Sequence, residues 1–301
     1  MTYSQNLIYK LIKNITLATI LSLSSLSAHQ FWINSFESFT HKPGHTTVSL
    51  GWGHTLPIDD ILNSPNGKVI IQDFTITTPN GKKIDLDFPK SKNVEPSKVN
   101  EDFDIFKSEI GLQKIALKKN SQKGVYKIEA KSKPTFYTQY IDTKDRKRLK
   151  LKSKDKIKDI KKILVSTKYQ AFASSYLTID KWKTPKPTST DLEIRPLSDL
   201  SNVKVGDLLK FEVTFKGKPL SWSEKSLELI RATSNTFGQG ENFYLASFLK
   251  NGKAQFRVQS KGQWIVECYH IENVTKDGIL KDVYGKANTV MQGASLTFSV
   301  K

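Results

Sequence analysis

From residue 46 onward, apolar and polar residues alternate in short runs. Thr46 to Trp52 puts Val48, Leu50 and Trp52 on one face, the mark of a half-buried strand. Val69 to Thr78 is β-branched and stops at Pro79-Asn80-Gly81, a turn signal. Ile84 to Phe88 then resumes as its hairpin partner. Gly124 to Ala130 and Ala171 to Ile179 continue the pattern. A polar stretch, Trp182 to Thr190, interrupts it and carries Pro185 and Pro187, as an inter-domain linker does. The alternation restarts at Leu192–Ile194 and returns at Leu208–Phe215, Leu227–Arg231, Ala254–Val258, Gly262–His270 and Ser295–Val300.

Strands at this spacing, with turn chemistry between them, predict an all-β chain of two β-sandwich domains, immunoglobulin-like or transthyretin-like. The predicted bounds are 29–184 for the N-terminal sandwich, 185–191 for the linker and 192–301 for the C-terminal sandwich. One helix is expected, over Asp155 to Leu164 in a lysine-rich insertion, although its apolar face is thin. The insertion is expected as an exposed helix or a mobile loop.

The first 28 residues read differently. Lys10 and Lys13 precede an apolar stretch, Ile15 to Leu26, that closes in small residues. This is the layout of a cleavable secretory signal peptide. It is shorter than the roughly 20 apolar residues that span a bilayer. Cleavage after Ala28 leaves His29 as the first mature residue; cleavage after Ser27 leaves Ala28. The expected location is periplasmic.

Composition narrows the field. At 38% hydrophobic residues, a buried core is within reach. The single cysteine, Cys268, excludes an intrachain disulfide and is expected as a small buried residue. The formal charge is +18, two units of which leave with Lys10 and Lys13. Much of the remainder sits in Lys144 to Lys162. That run lacks the interleaved aromatics of a single-strand nucleic-acid binder, so nucleic acid is not expected. A solvated surface, or contact with an anionic surface, is.

The chemistry rests on histidine. Of five histidines, four lie between residues 29 and 54: His29, His41, His45 and His54. A terminal His29 would offer its α-amine and its imidazole to one metal ion. His54 follows a strand end, beside Asp59 and Asp60, carboxylates able to act as outer-shell partners or hard ligands. His270 ends the strand that carries Trp264, Val266 and Cys268. The predicted metal set is His29, His54 and His270. His45 is the reserve, because its parity points away from the Val48 face, and His41 is expected on the surface. Imidazole suits nickel, copper, zinc and cobalt. The chain has no HExxH, no paired CxxC, no GxSxG elbow and no P-loop, so no catalytic residue is assigned.

Several short motifs, in order, resemble the DUF4198 family. They are Ala28-His29-Gln30-Phe31-Trp32-Ile33, Lys42-Pro43-Gly44, and Gly51-Trp52-Gly53-His54 with Pro57 and Asp59-Asp60. Further along come Ser166-Thr167-Lys168-Tyr169, Tyr176-Leu177-Thr178, Leu192 to Leu197, Val205-Gly206-Asp207 and Gly217-Lys218-Pro219-Leu220. The resemblance implies an exported bacterial β-sandwich protein linked to nickel or cobalt uptake, beside an inner- or outer-membrane metal transporter. Two other readings fit the residues. One is a copper histidine-brace protein that activates oxygen, as polysaccharide monooxygenases do. The other is a carbohydrate-binding or structural sandwich without metal.

Overall fold

The computed structural model describes residues 29–38, 42–65, 67–90, 95–99, 101–187, 191–223, 226–238 and 243–301. The expected leader, 1–28, lies outside them, as does His41. The first half supplies β1 (Gln30–Ser38), β2 (His45–Gly53), β3 (Ile71–Thr77), β4 (Lys83–Asp85), β5 (Lys98–Val99), β6 (Asp104–Ile105), β7 (Gln113–Ala116), β8 (Gly124–Ser132), β9 (Thr135–Asp142), β10 (Lys147–Lys150) and β11 (Ile160–Ile179). The second supplies β12 (Glu193–Pro196), β13 (Leu208–Phe215), β14 (Lys218–Pro219), β15 (Leu229–Ser234), β16 (Leu245–Phe248), β17 (Lys253–Arg257), β18 (Gly262–Asn273) and β19 (Thr289–Val300). Two single 3-10 turns complete the described residues, which contain no α-helix.

The expected all-β sandwich architecture is present, arranged around one large sheet. Its order is β16-β15-β18-β19-β11-β8-β3-β4, with β9 and β10 attached alongside the 20-residue β11. The hairpin expected across Pro79-Asn80-Gly81 is β3 with β4, where Ile76 opposes Ile84. β11 meets β19 in parallel, Thr167–Ser175 against Thr289–Thr297. That junction joins the two halves of the chain.

Side-chain alternation on the shared strands puts one core on each face. On β11, Ala171, Ala173 and Leu177 enter a first core with Phe31, Ile33, Val48, Leu50, Phe74 and Ile128. Tyr176 points the other way, into a second core with Phe211, Val213, Trp264, Val266, Cys268 and Leu296. The small sheet β1-β2-β7 covers the first core; β12-β13-β14 with β17 covers the second. Of the expected linker, 185–191, residues 188–190 lie outside the described residues, and the second core already draws Tyr176 and Trp182 from before it. The large sheet also runs across the linker, and so does a buried ion pair: Lys127 Nζ lies 2.6 Å from Glu193 Oε1 and 2.7 Å from Glu129 Oε1.

β1 does more than pair with β2. Its free edge lies on the large sheet, where Ser295 Oγ donates to Phe31 O at 2.6 Å and Thr297 Oγ1 donates to Ile33 O. The small side chains of Ala171 and Ser295, with Gly293, make the close approach feasible. An edge strand has unpaired backbone groups; here hydroxyls satisfy two of its buried carbonyls.

The lysine-rich insertion is not a helix. Residues 147–150 form β10, 154–156 a single 3-10 turn, and β11 starts at Ile160. β11 pairs with β9 from Ile160 to Tyr169. The β-branched Ile160, Ile163, Val165 and Thr167 suit a pleated surface, and that long-range pairing outweighs local helix preference.

Candidate functional site

The site forms where β1 begins and β2 ends. Gln30 pairs with Gly53 and Phe31 with Trp52, so antiparallel register brings His29 beside the residues after β2. Gly53 has φ +130, and a Cβ there would come within 2.5 Å of Asp59 Oδ2. Only glycine lets the chain turn back so tightly. The loop that follows is fastened at several points. The backbone N–H of His54 donates to Asp59 Oδ2 at 2.7 Å. Pro57 O accepts from Asn34 Nδ2 at 2.7 Å and from Trp32 Nε1 at 3.2 Å. Asp60 N–H donates to Trp52 O at 3.0 Å.

This geometry brings His29, His54 and Asp60 together. The imidazole centroids of His29 and His54 are 4.7 Å apart, at 53°. His29 Nε2 lies 4.0 Å from Asp60 Oδ2. Asp60 Oδ1 accepts instead from the N–H of Ile61, at 2.7 Å. The Trp52 ring stands edge-on to His29 at 5.2 Å, and its Nε1 donates to Gly67 O at 2.8 Å. Gly67 itself faces His29: a Cβ there would lie 3.1 Å from Nδ1. The His29 side chain keeps 22% of its surface exposed and that of Asp60 29%, so a solute can reach both.

The pair can be tested against a metal ion. Metal–imidazole bonds of about 2.0–2.1 Å put the centroids of two rings on one ion roughly 4.5–6 Å apart. The observed 4.7 Å falls in that range. Glycine at 67 leaves room beside Nδ1, the nitrogen a terminal amine chelate would use. Among the described residues, however, no three His, Cys, Asp or Glu side chains are arranged to hold a metal. The side chains alone contribute a pair of imidazoles and a nearby carboxylate.

His270, expected as the third histidine, is not brought to this pair. It shares a face of β18 with Trp264, Val266 and Cys268, which enter the second core. The opposite face, with Gln263, Ile265 and Glu267, meets β1: Gln263 Nε2 donates to Asn34 Oδ1 at 3.1 Å, and Ile265 packs with Trp32. His270 is buried against Phe215 at 4.4 Å, with Nδ1 2.8 Å from Glu228 Oε1 and Nε2 3.5 Å from Glu272 Oε2. His45 starts β2 and pairs with Ser38 and Ala116. At about 3.4 Å per strand residue it lies on the order of 30 Å from His54.

Sequence reasoning missed the anchor behind the site. Gln30, next to His29, donates from Nε2 to Glu267 Oε2 at 2.6 Å. Burial pushes the Glu267 carboxyl up to about 8, against the pull of Arg231 and the Gln30 hydrogen bond. Tyr169 and Tyr269 line the same small cavity with Phe31 and Gly293. A glutamate alternating with Trp264, Val266 and Cys268 was the available signal, since it had to face the other way.

The profile described as Domain of unknown function (DUF4198) matches residues 26–272. The chain belongs to the DUF4198 family. The matched segment of this DUF4198 protein contains His29, His54, Asp60, Glu267 and His270. A search of curated proteins finds no match.

Proposed function

We propose that this DUF4198 protein is an exported metal-binding protein that holds one divalent transition metal at His29 and His54. The observation that carries the reading is the 4.7 Å approach of the two imidazoles at the meeting of β1 and β2. Cleavage after Ala28 would free the His29 amine and give the pair a third nitrogen. Asp60 would sit in the outer shell, where a carboxylate orients an imidazole. Family resemblance favours nickel or cobalt, and transfer to or from a membrane transporter follows from it. A partly open site suits a carrier, because the ion must enter and leave.

Copper is the chemical rival, since nitrogen ligands bind it more tightly than nickel, cobalt or zinc. Copper held this way would supply oxygen activation. The metal content of protein recovered from its own compartment decides among these metals.

The test is calorimetric titration of nickel, cobalt, copper and zinc into two proteins. One begins at His29 and the other carries one extra residue ahead of it. The first should bind one ion, more weakly as pH falls, because protons compete for amine and imidazole. The extension should lower affinity strongly, as should His54→Ala, while His45→Ala should not. Equal affinity with and without the extension would remove the terminal amine from the set. No binding of any of the four ions to either protein would end the metal reading.

A further inference from the structure

The far end of the large sheet, formed by β9, β10 and the start of β11, carries an unusual outer face. Residues directly opposite one another across strands share a face. Leu149 opposes Gln139, which opposes Val165; Lys147 opposes Ile141, which opposes Lys162. The reverse face holds Thr138, Tyr140 and Ser166, all buried. The row with Leu149 therefore looks outward. Leu149 is 62% exposed, Leu151 64% and Tyr137, on the same face, 36%.

Basic residues accompany these apolar ones, Lys147 and Lys162 on the same face. Residues 144–162 include 11 Lys or Arg against 3 Asp or Glu. Two acidic groups in and beside this end, Asp145 and Asp142, are engaged. Asp145 meets Lys161 at 2.6 Å. Asp142 accepts from Arg146 and Arg148, and with the backbone N–H of Arg146 and Lys144 they hold its carboxyl well below the usual range. Lys147 and Lys162, on the Leu149 face, are exposed, as are Lys152 and Lys150, the latter opposite Thr138 at the edge of the reverse face.

We propose that this end of the sheet docks on an anionic lipid bilayer. Leu149 and Leu151 enter the boundary between headgroups and acyl chains, and the lysines meet the headgroups. Interfacial segments combine these two features: apolar groups that insert and cations that are drawn to anionic lipid. A soluble polyanion rewards charge and leaves exposed leucines without a role. Lysine on an edge strand discourages strand pairing, but that needs no leucine. Protein interfaces are depleted in lysine, which argues against a protein partner.

The experiment is co-sedimentation of the full mature protein with vesicles. One set is phosphatidylcholine alone; the other is an equal mixture of phosphatidylcholine and phosphatidylglycerol. The protein should bind the mixed vesicles only, and less as salt rises. Lys147→Glu with Lys162→Glu should cut partitioning at least tenfold, from about fivefold per lysine at an anionic surface. Leu149→Ser with Leu151→Ser should also cut it about tenfold or more, since the apolar insertion is lost. All four side chains are exposed, and unchanged thermal melts would show that the variants fold. The proposal is overturned if mixed vesicles do not bind. It is also overturned if the leucine variant binds them like the parent, with dextran sulfate competing fully, because the partner is then any polyanion.

Discussion

Gln30 donates a 2.6 Å hydrogen bond to Glu267, a residue from the far end of the chain. The contact fixes the residue next to His29 to the middle of β18. Its acceptor is a carboxyl that burial has pushed up to about 8 from an ordinary 4.5. Between those values the folded protein keeps a proton that the unfolded chain loses. Stability due to Glu267 is therefore full below about 4.5 and declines as pH rises towards 8. The slope approaches roughly 1.4 kcal/mol per pH unit. Glu267→Gln, which cannot ionise, should flatten it. Urea unfolding of parent and variant across this range measures the difference; parallel curves would mean that the carboxyl is not buried in its neutral form.

The docking of β1 rests on hydroxyls. Ser295→Ala with Thr297→Ala would leave the carbonyls of Phe31 and Ile33 without those donors. A buried unsatisfied polar group costs about 1–3 kcal/mol, so the double variant should lose at least that much. Hydrogen exchange at Phe31 and Ile33 should rise in the same variant. Unchanged protection there would show that β1 is held by its side chains and by β2 alone.

The loop that carries His54 depends on Gly53. Alanine there meets both an unfavourable φ of +130 and the Asp59 carboxylate. Gly53→Ala should cost about 1–3 kcal/mol, read as a lower thermal midpoint. Asp59→Ala added to it should restore part of the loss by removing the clash. No recovery would locate the strain in the backbone alone.

The Lys127–Glu193 pair links the two halves of the chain. Lys127→Met would strand a buried carboxylate and should cost about 3–5 kcal/mol. Replacing both with Met and Leu should restore most of the stability, as apolar substitutes for buried ion pairs often do. Denaturant unfolding of the single and double variants decides it.

Local pattern made part of this fold legible. β13 alternates in burial from end to end, and β2 alternates apolar with polar or small residues through Val48, Leu50 and Trp52, so their faces could be read without neighbours. β1 could not be read that way, because Asn34, Ser35 and Glu37 break its apolar run. Its order comes from Asn34, whose bonds to Pro57 and Gln263 depend on distant residues. The β11–β19 junction was illegible for a similar reason: parallel partners far apart in sequence leave no local mark. His29 and His54 could be singled out by position, but their meeting depends on the Gln30–Gly53 register. His270 misled because alternation says which residues share a face, not what that face meets. The residues of β18 that reach β1 are Gln263, Ile265 and Glu267. In the lysine-rich segment, charge hid a strand whose pairing with β9 overrode its local preference.

The placement of β1 against β19 also sets an order of events during folding. β19 is the last of the described strands, and it supplies the hydroxyls on which β1 rests. The N-terminal core therefore cannot be sealed until β19 has been made, even though most of its residues come much earlier in the sequence. Contacts of such long sequence separation form slowly. Until then, Phe31, Ile33, Leu50 and Trp52 need to be kept from competing chains. A version truncated before Thr289 should consequently fail in both halves at once, behaving as a single cooperative unit with two cores.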